Sequence, residues 1–218
     1  MASVISGPIP SPGIRVAAIV AGFFAGIGLA YSNSRNTLIN QNELIVGATR
    51  RWLERAVIGL KLCPFAESVH LGERIRYRVS EHRSAAGLLD DLRSELLHLS
   101  GQDPGACETT LLIHPWVLTG FAEFNDFLGV CECEIVALGL EGVLQLASFH
   151  PQYQFAGTQP EDIENYTNRS PYPTLHVLRE TSIERALASV PHPEEIYRRN
   201  IRTLGLLGHE GWRKLWND

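Results

Sequence analysis

The cysteine pattern of a disulfide-bonded or zinc-binding protein is missing from this chain. Its four cysteines, Cys63, Cys107, Cys131 and Cys133, include no CxxC pair and no zinc-type spacing, which excludes a disulfide framework. Cys131 and Cys133 are two apart in a predicted helix, so they point in different directions and neither bridge nor chelate together. Free thiols in a reducing compartment follow. Clustered positive charge is also lacking: Lys and Arg number 19 against 24 Asp and Glu, a formal charge of -5, with no basic patch. A broad footprint on a nucleic-acid backbone is therefore excluded. The chain has no Walker loop, no GxGxxG, no GxSxG, no HxH and no HExxH, and no internal repeat.

Acidic residues are absent before Glu43, where the only basic side chains are Arg15 and Arg35. Residues 1–42 thus stand apart as an apolar segment and linker. From Val16 to Tyr31 the chain reads VAAIVAGFFAGIGLAY without charge. As a helix this run spans roughly 24 Å against a hydrocarbon core of roughly 30 Å. Ala18, Gly22, Gly26 and Ala30 recur every four residues, a ridge of the kind that lets membrane helices pack closely. Residues 14–31 therefore read as a membrane anchor. Arg15, the apolar run and Gly28-Leu29-Ala30 also fit a cleaved signal peptide. Secretion, however, would expose the sequons at Asn165 and Asn168. An organelle-targeting segment on an otherwise cytoplasmic chain, or a spurious start, stays open.

Residues 43–218 read as a single domain. An amphipathic helix is predicted from Glu43 to Leu62, with Leu44, Ala48, Trp52, Ala56 and Leu60 inward and Arg50, Arg51, Glu54 and Arg55 outward. Residues 75–80 alternate as a strand. Ser84 caps a helix carrying Leu88, Leu92, Leu96 and Leu99, and Thr109–Ile113 is a short buried strand. Val117 through Leu138 steps by threes and fours to Gly139, and Leu144–Phe149 is a third strand. Pro173 opens a predicted helix through Leu175, Leu178, Ile183 and Leu187, and Pro193 opens another that Gly208 breaks. This order predicts an α/β fold, a small and mainly parallel βαβαβ sheet covered by helices, with extra N- and C-terminal helices. A fourth strand at 153–157 and a split, ferredoxin-like α+β pairing stay open as alternatives.

Two strands end in the same dipeptide, His114-Pro115 and His150-Pro151. If the strands are parallel, both imidazoles emerge at one carboxyl edge, where open α/β sheets bind ligands. A core role capping backbone groups is the competing reading of each. The long segment from Pro151 to Thr174 holds Tyr153, Phe155, Tyr166 and Tyr172, too many aromatics for a solvated linker. Within it Asn165, Asn168, Arg169, Ser170 and Tyr172, with His176 beyond, form a candidate clamp for a carboxylate or phosphate ahead of the predicted helix. A salt bridge from Arg169 to Glu164 is the bland alternative. His114, His150 and a loop carboxylate, Asp162 or Glu164, would suit zinc or iron, so a divalent metal is an open cofactor. Cys63 is a further nucleophile candidate, though no second Cys follows it.

The strings GLKLCPFAE at 59–67, TTLLIHPWVL at 109–118, ASFHPQYQFAGT at 147–158, DIENYTNRSPYPTLHVLRE at 162–180 and YRRNIRTLGLLGHEGW at 197–212 are long and of unusual composition. On these the chain resembles the uncharacterised domain of unknown function 1415 family over about residues 44–216. The resemblance implies no reaction or cofactor. It does place His150, Tyr153, Phe155, Asn165, Asn168, Arg169, Ser170 and Tyr172 in the family's signature segments.

These residues lead to three expectations. The first is an enzyme acting on a small anionic substrate, with His114 and His150 as acid/base groups or metal ligands, Tyr153 beside them and Arg169 orienting the anion. The second is a non-catalytic binding or scaffolding domain tethered to a membrane. The third is a thiol enzyme built on Cys63. The sequence sets no oligomeric state.

Overall fold

The computed structural model describes residues 37, 40–188, 192 and 195–217. The chain divides into two units, Met1–Leu44 and Ile45–Asp218. The anchor expected at 14–31 lies outside the described residues. Among the described residues no helix is long and apolar enough to cross a membrane.

The second unit is an α/β fold on a mixed four-stranded sheet. Helix α1 (45–58) ends in a π-helical stretch, Leu53–Ile58, and is followed by the short α2 (Ala66–Leu71). Then come β1 (Ile75–Val79), α3 (Ala85–Gly101), β2 (Thr109–Ile113), α4 (Phe121–Ala137) and β3 (Leu144–Phe149). A 3₁₀ turn (Ile163–Asn168) leads to β4 (Thr174–Arg179), α5 (Glu180–Ala188) and α6 (Glu195–Lys214).

Strand order is β1-β2-β4-β3. β1 and β2 are parallel, while β4 runs antiparallel to both of its neighbours, β2 and β3. The expected βαβαβ order along the chain is present, but the sheet is not mainly parallel. The difference comes from β4, which replaces the first half of the helix expected after Pro173. TLHVLR places Leu175, Val177 and Arg179 on one face and Thr174, His176 and Leu178 on the other, and a central strand buries both. Hydrogen bonds to two neighbours outweigh the modest helix preference of its leucines. The helical part of that expectation survives only as α5. Residues 153–157 form no strand.

Paired residues share a face, so the sheet's two sides can be read from register. Leu112, Leu144, Leu175 and Val177 pack with Leu88, Leu92, Leu96, Phe124 and Cys131 of α3 and α4. On the opposite side Ile75, Tyr77 and Phe149 meet Trp52, Ala56 and Val57 of α1 and Leu204 and Trp212 of α6. Helices thus cover both faces, with leucines at 88, 92, 96 and 99 of α3 fully buried. Replacing one of these with alanine costs about 2–5 kcal/mol.

Local signals set the element ends. Ser84 accepts a hydrogen bond from the Gly87 N–H at 3.2 Å and caps α3. At the other end of α3 the buried Arg179 donates to the carbonyls of Leu99, Gln102 and Cys107 at 2.7, 2.7 and 3.1 Å, tying the helix end to the loop that follows it. α4 begins four residues later than expected, at Phe121, because Leu118 adopts a left-handed φ of 53° and Gly120 is extended. Gly208 interrupts α6 with φ 63°, beyond which Trp212 packs back on the core.

Candidate functional site

β1, β2 and β3 point the same way, so the carboxyl ends of β2 and β3 share one edge although β4 separates them. There the backbone N–H of His114 donates to the Pro173 carbonyl at 3.0 Å, and that of His150 donates to the Asn168 carbonyl at 3.1 Å. Pro115 and Pro151 have no N–H to extend the ladder. Both imidazoles are fully buried and lie against the same ring, with centroids 5.4 Å (His114) and 5.2 Å (His150) from Phe124 of α4. Phe121 also contacts His150, and Tyr153 contacts Phe121 at 5.1 Å.

The ring nitrogens of this pair are set oppositely. His114 Nδ1 lies 3.0 Å from the Val117 carbonyl, which can only accept, so the proton of the neutral ring is on Nδ1 and Nε2 carries a lone pair. His150 Nδ1 accepts from the Gln152 N–H at 3.0 Å, so its neutral ring is protonated on Nε2. Neither Nε2 has a hydrogen-bond partner. Burial pushes the pKa of His114 down to about 4, an effect that the Val117 carbonyl opposes and His150 reinforces. Burial lowers His150 as well, against the pull of the Leu118 and Thr119 carbonyls, which favour its charged form without completing a hydrogen bond to Nε2. Both rings are neutral at pH 7.

A metal finds little here. Among the described residues no three His, Cys, Asp or Glu side chains gather with geometry to hold an ion. Asp162 accepts from the Gln159 N–H at 2.7 Å, shaping the loop instead. Binding a metal at His150 Nε2 would also require the ring to surrender the tautomer that Gln152 enforces.

The loop residues divide between structure and surface. Asn165 is fully buried: its Oδ1 accepts from the Phe155 N–H and the Thr158 hydroxyl, and its Nδ2 donates to the Gln159 carbonyl. It is a pin for the loop, and a folded chain could not carry a glycan there. Asn168 donates to the Ser148 carbonyl at 3.1 Å, and Ser170 to the Tyr172 carbonyl at 2.6 Å. Tyr172 packs with Ile45, Val79, Ile113 and Trp116. The segment from Asn168 to Pro171 leads into β4, so no helix N-terminus stands behind it as expected. Arg169 makes no bridge to Glu164. Its Nε donates to the Tyr153 carbonyl at 3.3 Å, a terminal nitrogen donates to the Pro160 carbonyl, and the guanidinium stacks over Tyr166 at 4.2 Å.

Arg169 and Ser170 border a cavity of about 870 Å³, on the side of the sheet that α1 and α6 cover. Three more arginines line it: Arg51 and Arg55 from α1 and Arg213 from α6. Trp52, Tyr166, Trp212 and Trp216 supply aromatic walls, and among the described residues no carboxylate lines it. Trp52 ties the wall together by donating to the Arg169 carbonyl at 2.8 Å. Arg55 and Arg213 spend donors on the Leu215 and His209 carbonyls. Arg51, Arg169 and Arg213 have no carboxylate partner among the described residues. Sequence reasoning placed Arg51 and Arg55 on the outward face of the first helix and gave Trp212, Arg213 and Trp216 no place in a site. The signal was their i, i+4 spacing, Arg51 to Arg55 and Trp212 to Trp216, but nothing in the sequence says that the two helices face each other.

The candidates therefore separate. His114 and His150 come together, but on the α3/α4 face, and neither lines the cavity, which reaches their surroundings through Pro151 and through the Arg169 contact with the Tyr153 carbonyl. His176 lies mid-strand on the other face, its Nε2 2.7 Å from the Thr109 hydroxyl, and burial lowers its pKa to about 4. Because Thr109 already donates to the Val177 carbonyl, His176 must be the donor in that contact. Cys63 is half-buried in the cluster under α1 and α6, across the sheet from the paired imidazoles.

No curated protein and no solved structure matches the chain. Residues 44–214 match the family described as Protein of unknown function (DUF1415). That span takes in both strand-end histidines, the aromatic loop and all four cavity arginines, and on it the chain belongs to the DUF1415 family.

Proposed function

We propose that the domain binds a small anionic molecule in the arginine-lined cavity at the carboxyl edge of its sheet. One observation supports this above the rest. Four guanidinium groups from three separate elements converge, and three of them, Arg51, Arg169 and Arg213, one from each element, have no carboxylate partner among the described residues, in a chain of formal charge -5. Gathering like charges without a counter-charge is unfavourable, and an incoming anion relieves it. Guanidinium forks match carboxylate and phosphate oxygens in pairs. A cavity of about 870 Å³ falls within the range of small-molecule sites.

The test is thermal unfolding of the full chain in inorganic phosphate and pyrophosphate, each against chloride at equal ionic strength. The expected result is a concentration-dependent rise in Tm, larger for pyrophosphate, since a ligand of the native state stabilises by mass action. A rise no greater than that of matched chloride defeats the proposal.

A catalytic role for His114 and His150 is a second reading, carried by their buried Nε2 atoms, one an acceptor and one a donor. Such a pair suits general acid/base work on one hydroxyl group. Saturating anion would then shift the side-chain ¹⁵N resonances of both rings. Unchanged resonances would assign the pair to the core.

A further inference from the structure

We infer that the ligand of this cavity is an aromatic polyanion of the nucleoside polyphosphate class, a planar ring joined to at least two negative charges. The inference rests on the anion-binding reading above and adds the ring and the charge number.

The charge number follows from the arginines. One carboxylate or phosphate monoanion engages one or two guanidinium forks. Here Arg51 and Arg55 stand one helical turn apart on α1, Arg169 comes from the loop, and Arg213 comes from α6. Arg51, Arg169 and Arg213, cations on three separate walls with no carboxylate partner among the described residues, call for charge on more than one group. A diphosphate or longer chain supplies it.

The ring follows from the aromatic walls. Trp212 is held edge-on by Tyr166 at 5.2 Å and by Trp216 at 5.6 Å, which fixes the orientation of all three rings. Trp216 stays 39% exposed although it borders the cavity, an indole surface that the protein itself leaves uncovered. A bare phosphate would have no use for it. Base-on-aromatic stacking contributes about 1–3 kcal/mol, enough to draw a ring to such a surface.

The lining also lacks what would tell one base from another. Among the described residues it contains no Asn, Gln, Asp or Glu, and the Ser170 hydroxyl already donates to the Tyr172 carbonyl. Ring edges therefore meet no side-chain code, and recognition by stacking tolerates any base.

The experiment is isothermal titration of the full chain with pyrophosphate, adenosine, adenosine diphosphate and uridine diphosphate at one ionic strength. Both diphosphates are expected to bind about tenfold or more tighter than pyrophosphate and within about threefold of each other, with adenosine alone undetected. Trp216→Ala should erase the nucleotide advantage while leaving pyrophosphate affinity in place, and Trp216→Phe should retain most of it. Pyrophosphate binding as tightly as the nucleotides overturns this inference and leaves the anion reading standing. Absence of binding by any of the anions overturns both. Strong preference for one base overturns recognition by stacking.

Discussion

At the carboxyl edge of the sheet the two faces carry opposite chemistry. On the α3/α4 side, two imidazoles are sealed against Phe124 and kept neutral. On the α1/α6 side, four guanidinium groups and three indoles border an open cavity. The period of two along a strand explains the first. Ile113 and Phe149 pack on the α1/α6 side, so the next residue of each chain, His114 and His150, turns to the opposite and drier side. Beyond Pro151 the backbone is free of that alternation, and the loop carries Arg169 back to the other face. A shared edge thus does not make a shared pocket, and the ligand binding proposed above falls on the arginine side.

The comparison can be broken at its apolar end first. Phe124→Ala removes the ring that both imidazoles lie on, and a loss of about 3–5 kcal/mol is expected in urea unfolding. A loss below about 1 kcal/mol would mean that the imidazoles are not held by the core.

The neutral pair also predicts a pH dependence. The folded pKa of His114 is lowered from 6.5 to about 4, so the unfolded chain binds more protons between those values. Stability is then full above pH 6.5 and falls as pH drops towards 4, by on the order of 3 kcal/mol from this group. His114→Asn keeps a donor for the Val117 carbonyl but cannot titrate, so its stability profile over this window should be shallower. An unchanged slope would show that His114 is not the group responsible.

In the loop, Asn165→Ala strands the Phe155 N–H and removes one of two partners from the Thr158 hydroxyl and the Gln159 carbonyl, for an expected cost of about 1–3 kcal/mol and faster amide exchange at 155–159. The smallest effect on stability belongs to the cavity. Arg51 is exposed and has no carboxylate partner among the described residues, so Arg51→Ala should leave unfolding within about 0.5 kcal/mol of the parent while weakening pyrophosphate binding several-fold.

Much of the scaffold was legible because it is written in local terms. Thr109–Ile113 and Leu144–Phe149 read as strands from β-branched and apolar runs, and the Ser84 cap and the leucine spacing fixed α3. β4 was not legible, since TLHVLR has helix-compatible spacing and becomes a strand only when β2 and β3 offer hydrogen bonds on both sides. The same limit governs the site. Two His-Pro ends can be seen in a string of letters, and their common edge follows from parallel direction. That Arg51, Arg55 and Arg213 meet Arg169 depends on how α1 and α6 pack across the sheet, which no spacing within either helix encodes.

The most direct measurement is calorimetric titration of pyrophosphate into the full chain and into its Arg169→Ala and His114→Asn variants. The cavity account predicts one site per chain, at least about tenfold weaker in Arg169→Ala through loss of a charge-assisted contact, and unchanged in His114→Asn. No saturable binding, or equal loss in both variants, would contradict it.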